Sequence, residues 1–164
     1  MRLPDGVARW VEQRISIQGP HADELDELIG AAPTRVLEWM RRKAQLADGT
    51  DVGLPVCDSV DVVAVVARER GCEGGWEIVE PGFTHDAWAV AEVGLLRDLC
   101  GSTQAEAAAR TSTSTSGVAR KHARHREWLM RREDYAVRVS CLAKRILEQA
   151  HGLPEEIALR IRAG

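Results

Sequence analysis

The stretch STQAEAAARTSTSTSGVARKHARHR, residues 102–126, predicts two helices joined by a short turn. Thr103 is followed three residues later by Glu106, a spacing typical of a capping box at the start of a helix. The alanine-rich run that follows has high helix propensity and little bulk. Ala108 stands where the first helix would cross the second, a position that requires a small residue.

The turn and the start of the second helix follow directly. Ser112 falls in the tight turn, at a position that often carries glycine because it needs a positive φ. Ser114 is placed to cap the second helix by accepting a hydrogen bond from the N–H of Ser116 or Gly117. Val118 is the apolar residue expected to lock the second helix against the first.

The second helix is predicted to run from residue 115 to about residue 132, with two different faces. The inward face holds Val118, His122, His125 and Leu129. The outward face is basic and hydroxylated, and it holds Thr115, Arg120, Lys121 and Arg124.

Positive charge is concentrated in the same region of an acidic chain. Residues 102–145 contain ten Lys and Arg against four Asp and Glu, a net charge of +6, whereas the whole chain has a net charge of −3 and the remainder therefore −9. A helix-turn-helix DNA reader needs a local basic face and not a high overall pI. We therefore expect double-stranded DNA as the partner.

Docking of such a motif assigns roles along the second helix. Its first turns reach base edges in the major groove. The residues expected to contact bases are therefore Thr115, Ser116, Gly117, Arg120 and Lys121. Arg120 is placed for a bidentate contact to guanine. Phosphate contacts are expected from Arg124, Arg126, Arg131 and Arg132. The predicted DNA-binding set is Thr103, Gln104, Ser114, Thr115, Ser116, Gly117, Arg120, Lys121, Arg124 and Arg126.

Helical periodicity dominates the rest of the chain. Helices are predicted at residues 5–16, 23–28, 33–47, 59–70, 84–100, 134–151 and 154–163, with Ser59 capping the fourth and Gly71 ending it. Residues 74–82 read as a loop or one turn carrying Trp76. The core of the second half is expected on the stripe Ala87, Val90, Ala91, Leu95 and Leu99, and the tryptophans Trp10, Trp39, Trp76, Trp88 and Trp128 are expected as core anchors.

These elements predict an all-α helical bundle that contains a helix-turn-helix, with an N-terminal helical extension and little or no sheet. Polar, turn-rich residues 48–55 mark the best candidate linker. The predicted division is an N-terminal helical region at 1–50, a linker at 51–58 and a DNA-binding domain at 59–164.

Composition points to a soluble, cytoplasmic protein. Hydrophobic residues make up 45% of the chain, but no apolar run is long enough to span a bilayer and the N-terminus lacks a signal-peptide core, so we expect no membrane insertion. The four cysteines, Cys57, Cys72, Cys100 and Cys141, form no CxxC motif and predict reduced, buried thiols. No metal or cofactor is expected.

The pattern from about residue 60 onward resembles a known DNA-binding domain. A long helix ending LLRDLCG, followed by TQAEAAARTSTSTSGVARKHARHREWL, is similar to the DNA-binding domain of bacterial replication initiators, of the Trp-repressor-like helical class. It resembles more closely the C-terminal domain of REP-associated tyrosine transposases, and WMRRKAQLADGT at residues 39–50 is similar to the segment that joins their nuclease to this domain. The resemblance covers about two-thirds of the chain and implies a bacterial, DNA-binding protein.

The nuclease signature of that family is missing from the sequence. The family holds a divalent metal with a His-hydrophobic-His pair near a tyrosine nucleophile, whereas this sequence has no His-x-His and a single tyrosine, Tyr135. Tyr135 is therefore expected to be a packing residue. His122 and His125 lack a third ligand nearby, so packing and phosphate contact are expected of them. We expect no nuclease activity and no enzyme function.

Three classes of function stay open at this point. The first is sequence-specific DNA binding, by a regulator or by a transposase-derived protein without its nuclease half. The second is a protein-interaction subunit whose basic helix binds an acidic partner. The third is an enzyme with an unrecognised site, which the lack of a clustered nucleophile, base or metal set disfavours. The sequence leaves open the oligomeric state and whether a partner protein supplies catalysis.

Overall fold

Six helices and one β-hairpin make up the described part of the chain, which is residue 28, residues 31–46 and residues 56–151 of a computed structural model. The helices are α1 (Pro33–Leu46), α2 (Ser59–Glu73), α3 (Ala87–Cys100), α4 (Gln104–Thr111), α5 (Thr115–Arg131) and α6 (Glu133–His151). The strands are β1 (Glu77–Glu80) and β2 (Phe83–Asp86). The predicted all-α bundle is confirmed.

Helix α3 lies at the centre of the bundle. It contacts α2, α4 and α5, and ten of its 14 residues are buried. The predicted core stripe is confirmed, since Ala87, Val90, Ala91, Leu95 and Leu99 are all buried. The helix begins at Ala87 and not at residue 84, because the Asp86 side chain accepts the N–H of Trp88 as an N-cap and residues 84–86 belong to β2.

The hairpin β1–β2 replaces the predicted loop. Its strands pair antiparallel with Ile78 opposite His85, and Gly82 in the connecting turn has φ 83°. Ile78 and His85 are the buried residues of the two strands. Strands of four residues show too little alternation for a periodicity argument, which is why the sequence predicted a loop.

Helix α2 differs from its predicted boundaries at both ends. Asp58 and not Ser59 is the N-cap, because its carboxylate accepts the N–H of Val60 at 3.0 Å. The helix continues through Gly71 and ends at Gly74, which has φ 79°. A glycine ends a helix where the backbone turns to positive φ, and Gly71 does not do so.

Helix α1 packs on α6 and α5, and its Val36 and Met40 belong to the same hydrophobic core as the rest of the bundle. Its Arg41 side chain donates to the backbone oxygen of Leu129 at 2.9 Å and pairs with Glu133 at 3.1 Å. The proposed linker lies mostly outside the described residues, so the division into domains stays a prediction. The predicted helices at residues 5–16 and 154–163, and all of 23–28 except its last residue, also lie outside them.

The tryptophans of the described residues anchor the core as predicted. Trp39, Trp88 and Trp128 are buried, and the half-buried Trp76 stacks on Tyr135 with ring centroids 5.4 Å apart. The Arg138 guanidinium covers Trp76 at 4.5 Å from its ring centroid. Trp10 lies outside the described residues.

Candidate nucleic-acid interface

Helices α4 and α5 are joined by a three-residue turn whose hydrogen bonds agree with the sequence pattern. The Thr103 hydroxyl accepts the N–H of Glu106 at 3.1 Å and donates to the Glu106 carboxylate at 3.0 Å. The Ser114 hydroxyl accepts the N–H of Gly117 at 3.1 Å. Both predicted caps are therefore confirmed.

Ser112 forms the sharp part of this turn. It has φ 52° and ψ 42°, and it is the only residue other than glycine with a positive φ in the described part of the chain. The N–H of Thr113 bonds back to the carbonyl of Ala108 at 3.1 Å, which closes the end of α4. The sequence argument that this turn needs a positive φ is confirmed.

Small and apolar side chains hold α4 against α5. Ala107 and Val118 are fully buried and Ala108 nearly so. A bulkier residue at either alanine would separate the helices, because interiors are packed without spare volume. Ala108 and Val118, the residues predicted for the crossing and for the apolar lock, are thus both buried in helices that contact each other.

A buried polar chain lies under the inward face of α5. The Asp98 carboxylate of α3 bonds His122 Nε2 at 2.8 Å with one oxygen and His125 Nε2 at 3.1 Å with the other. His125 Nδ1 lies 2.6 Å from the Tyr135 hydroxyl of α6. We call these four residues the Asp98 network. It joins three helices; both histidines and Tyr135 are buried, and the Asp98 side chain is 17% exposed.

The protonation states in the Asp98 network follow from the surroundings. Burial alone would raise the pKa of Asp98, but hydrogen bonds from His122 and His125 outweigh it and hold that pKa well below its ordinary value. Burial lowers the pKa of His122 despite its bond to Asp98. An ionised carboxylate only accepts, so both Nε2 atoms carry the hydrogen. The hydrogen bond between His125 Nδ1 and the Tyr135 hydroxyl extends the network to α6.

Helix α3 approaches the His125 ring very closely at Gly94. A Cβ atom at that position would overlap the ring, so glycine is required by packing there. His125 itself is completely buried and His122 is 3% exposed. The expectation that these histidines contact phosphate is therefore wrong, because neither ring reaches the surface.

The outward face of α5 carries the predicted readers that remain accessible. Thr115, Ser116 and Arg120 are exposed, and within the described residues no carboxylate lies within ion-pair distance of Arg120. Ser114 is also exposed, although its hydroxyl is engaged as the helix cap. Thr103 is exposed and Gln104 is half-buried. Both lie at the start of α4, the helix that precedes the turn.

Other predicted site residues are buried or half-buried. Gly117 is buried, and a Cβ there would come within 2.7 Å of the Thr113 methyl, so it accommodates the turn. Half-buried Lys121 donates to the Thr113 hydroxyl at 3.4 Å. Arg124 is half-buried and lies 3.8 Å from Glu80 of the hairpin, and Arg126 is half-buried as well. The accessible face is therefore narrower than the sequence predicted.

Acidic partners also accompany the arginines at the end of α5. Arg131 pairs with Glu127 at 3.8 Å, one turn earlier, and Arg132 pairs with Asp134 at 3.1 Å. Surface pairs of this kind are weak and can be exchanged for other anions. These arginines can still contribute charge, but they are less freely available than Arg120.

The hairpin supports α5 from the side. The Trp128 indole N–H donates to the Glu80 carboxylate at 3.0 Å, and the His85 ring meets Trp128 edge-on with centroids 5.5 Å apart. Sequence reasoning missed this support along with the Asp98 network. A polar signal existed for the network, because Asp98 interrupts the apolar run of α3 and two histidines share the inward face of α5.

The four cysteines differ in exposure. Cys57 is buried, but Cys72 is exposed and Cys100 and Cys141 are half-buried, so the expectation of buried thiols is wrong for most of them. All four are free. Among the described residues no group of three or more His, Cys, Asp or Glu is arranged to hold a metal ion.

None of the described helices combines the length and the apolarity needed to cross a bilayer. Comparison of the chain with protein-family models, with curated proteins and with solved structures found no match.

Proposed function

We propose that this protein binds double-stranded DNA sequence-specifically, with the first turns of α5 in the major groove. The observation that carries the proposal is the exposed face of Thr115, Ser116 and Arg120 directly after the α4–α5 turn. Helix-turn-helix proteins use this part of the second helix to contact base edges. Arg120 supplies the long bidentate donor that guanine binds, and the two hydroxyls can bond to bases or phosphates.

Charge around this face supports an anionic partner. Residues 104–131 contain six Lys and Arg against two Asp and Glu. The acidic remainder of the chain disfavours nonspecific wrapping of DNA, because its net negative charge repels phosphate. The proposed contact is therefore confined to one module.

The interior beneath α5 supports a rigid reading helix. Base readout requires side chains held in register with the groove, and a helix fixed by buried hydrogen bonds keeps that register. The Asp98 network bonds α5 to α3 and α6. The hairpin adds a bond from the side through Glu80 and Trp128. This arrangement favours a preformed DNA-binding surface over one that orders on binding.

Within this function we favour a regulator or a nuclease-less, transposase-derived protein, as the resemblance to REP-associated tyrosine transposases implies. This proposal assigns no DNA cleavage to the described residues. The single tyrosine is fully buried and its hydroxyl is engaged by His125, which makes it a poor nucleophile.

The first test measures duplex binding as a function of salt. The affinity for a random-sequence duplex should fall with a log–log slope of about −0.9 per phosphate neutralised. Arg120→Ala should weaken binding and make the slope shallower by about one phosphate. The matched control is Arg68→Ala on α2, an exposed arginine outside the α4–α5 pair, which should leave affinity and slope nearly unchanged.

The second test measures specificity. Selection from a random duplex library should return a short motif that contains guanine, and Arg120→Ala should relax preference at that position by about 1–3 kcal/mol. If Arg120→Ala lowers affinity equally for all sequences, α5 contacts only phosphates and does not recognise bases. Absence of duplex binding even at low salt would overturn the proposal and favour an acidic protein partner.

A further inference from the structure

Cys57 and Cys100 are brought together by the fold although 43 positions separate them in the sequence. Their Sγ atoms lie 3.7 Å apart, with Cys57 just before α2 and Cys100 at the last position of α3. We propose that these two thiols form an oxidisable pair that closes to an intramolecular disulfide when a peroxide reaches Cys100.

Backbone contacts hold the two thiols in place. The N–H groups of Val56 and Cys57 both donate to the carbonyl of Leu99, at 2.8 Å and 3.2 Å. The Cys57 thiol also lies 3.7 Å from that carbonyl oxygen. Because an S–S bond is about 2.05 Å long, each sulfur has to move by only about 1 Å for the bond to form.

The difference in exposure assigns the order of reaction. Cys100 is half-buried, whereas Cys57 is buried, so a small oxidant reaches Cys100 more readily than Cys57. The hydrogen bond with Cys100 and burial raise the pKa of Cys57, which disfavours its thiolate. Cys100 is therefore the residue that meets the peroxide, and Cys57 is the resolving thiol.

The chemistry balances in two steps. The Cys100 sulfur attacks one peroxide oxygen, the O–O bond breaks, and the products are a sulfenic acid and one water molecule. The Cys57 sulfur then attacks the Cys100 sulfur, the S–O bond breaks, and the departing hydroxide leaves as water with the Cys57 proton. The two thiols lose two electrons in total, which reduce the peroxide to two molecules of water. The contact between the sulfurs compensates for the small thiolate fraction of Cys57.

The disulfide would join the start of α2 to the end of α3. It would close a loop that contains α2, the hairpin and α3, immediately before the chain turns at Gly101 toward the Thr103 cap of α4. Cross-links of this length restrict the unfolded chain and raise the melting temperature.

The experiment uses the full chain in a Cys72→Ser/Cys141→Ser background, which leaves only the proposed pair. After treatment with hydrogen peroxide and alkylation under denaturing conditions, mass spectrometry should find an unalkylated monomer that is two hydrogen atoms lighter than the untreated, unalkylated protein. Digestion should yield one linked peptide pair that contains Cys57 and Cys100, and dithiothreitol should reverse the bond. The oxidised protein should melt on the order of 10 °C higher than the reduced protein.

The controls separate the pair from ordinary surface oxidation. Cys100→Ser in the same background should give no linked peptide, and Cys57 should stay available for alkylation once the protein is unfolded. Recovery of both thiols in the folded pair after peroxide treatment would overturn the proposal. Formation of disulfide-linked dimers through Cys100 in place of the internal bond would overturn it too.

Discussion

Single residues in this protein are determined by the neighbours they meet across the core. Gly94 is the clearest case, because it lies in the middle of a helix, where glycine is unfavourable on propensity alone. The His125 ring occupies the space that a Cβ atom at position 94 would take. The loss of helix propensity is offset by the buried hydrogen bonds that this close approach allows His125 to make with Asp98 and Tyr135.

Replacement of Gly94 by alanine tests this close approach. We expect Gly94→Ala to lower the free energy of unfolding by about 2 kcal/mol, because overpacking exceeds the gain in helix propensity. The matched control is Gly71→Ala in α2, where nothing lies within 4 Å of the added Cβ. That variant should gain about 0.5–1 kcal/mol. Urea unfolding measures both, and equal stabilisation of the two variants would contradict the placement of His125.

Tyr135 is fully buried, and its hydroxyl is hydrogen-bonded to His125 Nδ1 at 2.6 Å. Tyr135→Phe keeps the ring packing and removes only the hydroxyl, which leaves the buried Nδ1 without this partner. We expect a loss of about 1–3 kcal/mol in the free energy of unfolding. An unchanged melting curve would mean that the hydrogen bond contributes nothing to stability.

At the scale of elements, local chemistry accounts for where helices begin and turn. The caps at Thr103 and Ser114 satisfy backbone N–H groups within three residues of themselves. Ser112 takes the left-handed conformation because the connection between α4 and α5 is only three residues long. A residue with a Cβ atom is strained in that conformation.

The strain at Ser112 predicts a stabilising substitution. Ser112→Gly should raise the free energy of unfolding by about 0.5–1 kcal/mol, because glycine adopts the positive φ without a steric penalty. Ser112→Ala serves as the control, since it removes the hydroxyl and keeps the strain, and it should bring no gain. Thermal or urea unfolding compares the three proteins. A glycine variant less stable than the parent would contradict the left-handed turn.

For the whole molecule, the Asp98 network is the feature that joins distant elements. One carboxylate on α3 binds two histidine side chains of α5, and a hydrogen bond between His125 and Tyr135 extends the network to α6. Its protonation states make the stability of the fold depend on pH. His122 has a pKa below its ordinary 6.5 because burial, which disfavours the charged ring, outweighs the opposing effect of its bond to Asp98.

The sign of this dependence is the same for both groups. Folded His122 has a pKa below its ordinary 6.5, so the unfolded chain takes up this proton at a higher pH than the folded chain does, and stability falls as the pH decreases through the ordinary pKa. Asp98 has a lowered pKa in the folded state, so its contribution is present above its ordinary pKa of 3.8 and is lost as the pH falls through its folded value. Acid should therefore destabilise the protein in two ranges.

His122→Gln isolates the first range. Glutamine can still donate to Asp98 but does not titrate. Between pH 7.5 and pH 5 we expect the parent protein to lose more unfolding free energy than the variant, as measured by urea denaturation at each pH. All other histidines are the same in the two proteins, so the difference between the profiles belongs to His122. Parallel pH profiles would contradict a lowered pKa of His122.

The sequence by itself determined the helical class, the α4–α5 pair with its caps and turn, and the inward face of α5. These features depend on hydrogen bonds and periodicities that span a few residues, so the local pattern contains the information. Only the tertiary structure decided which partners the polar side chains meet. Asp98 bonds His122 and His125, Glu80 pairs with Arg124, and Cys57 contacts Cys100. Each of these contacts joins residues at least 24 positions apart. Such partners are brought together by the packing of the whole core, which no local periodicity encodes.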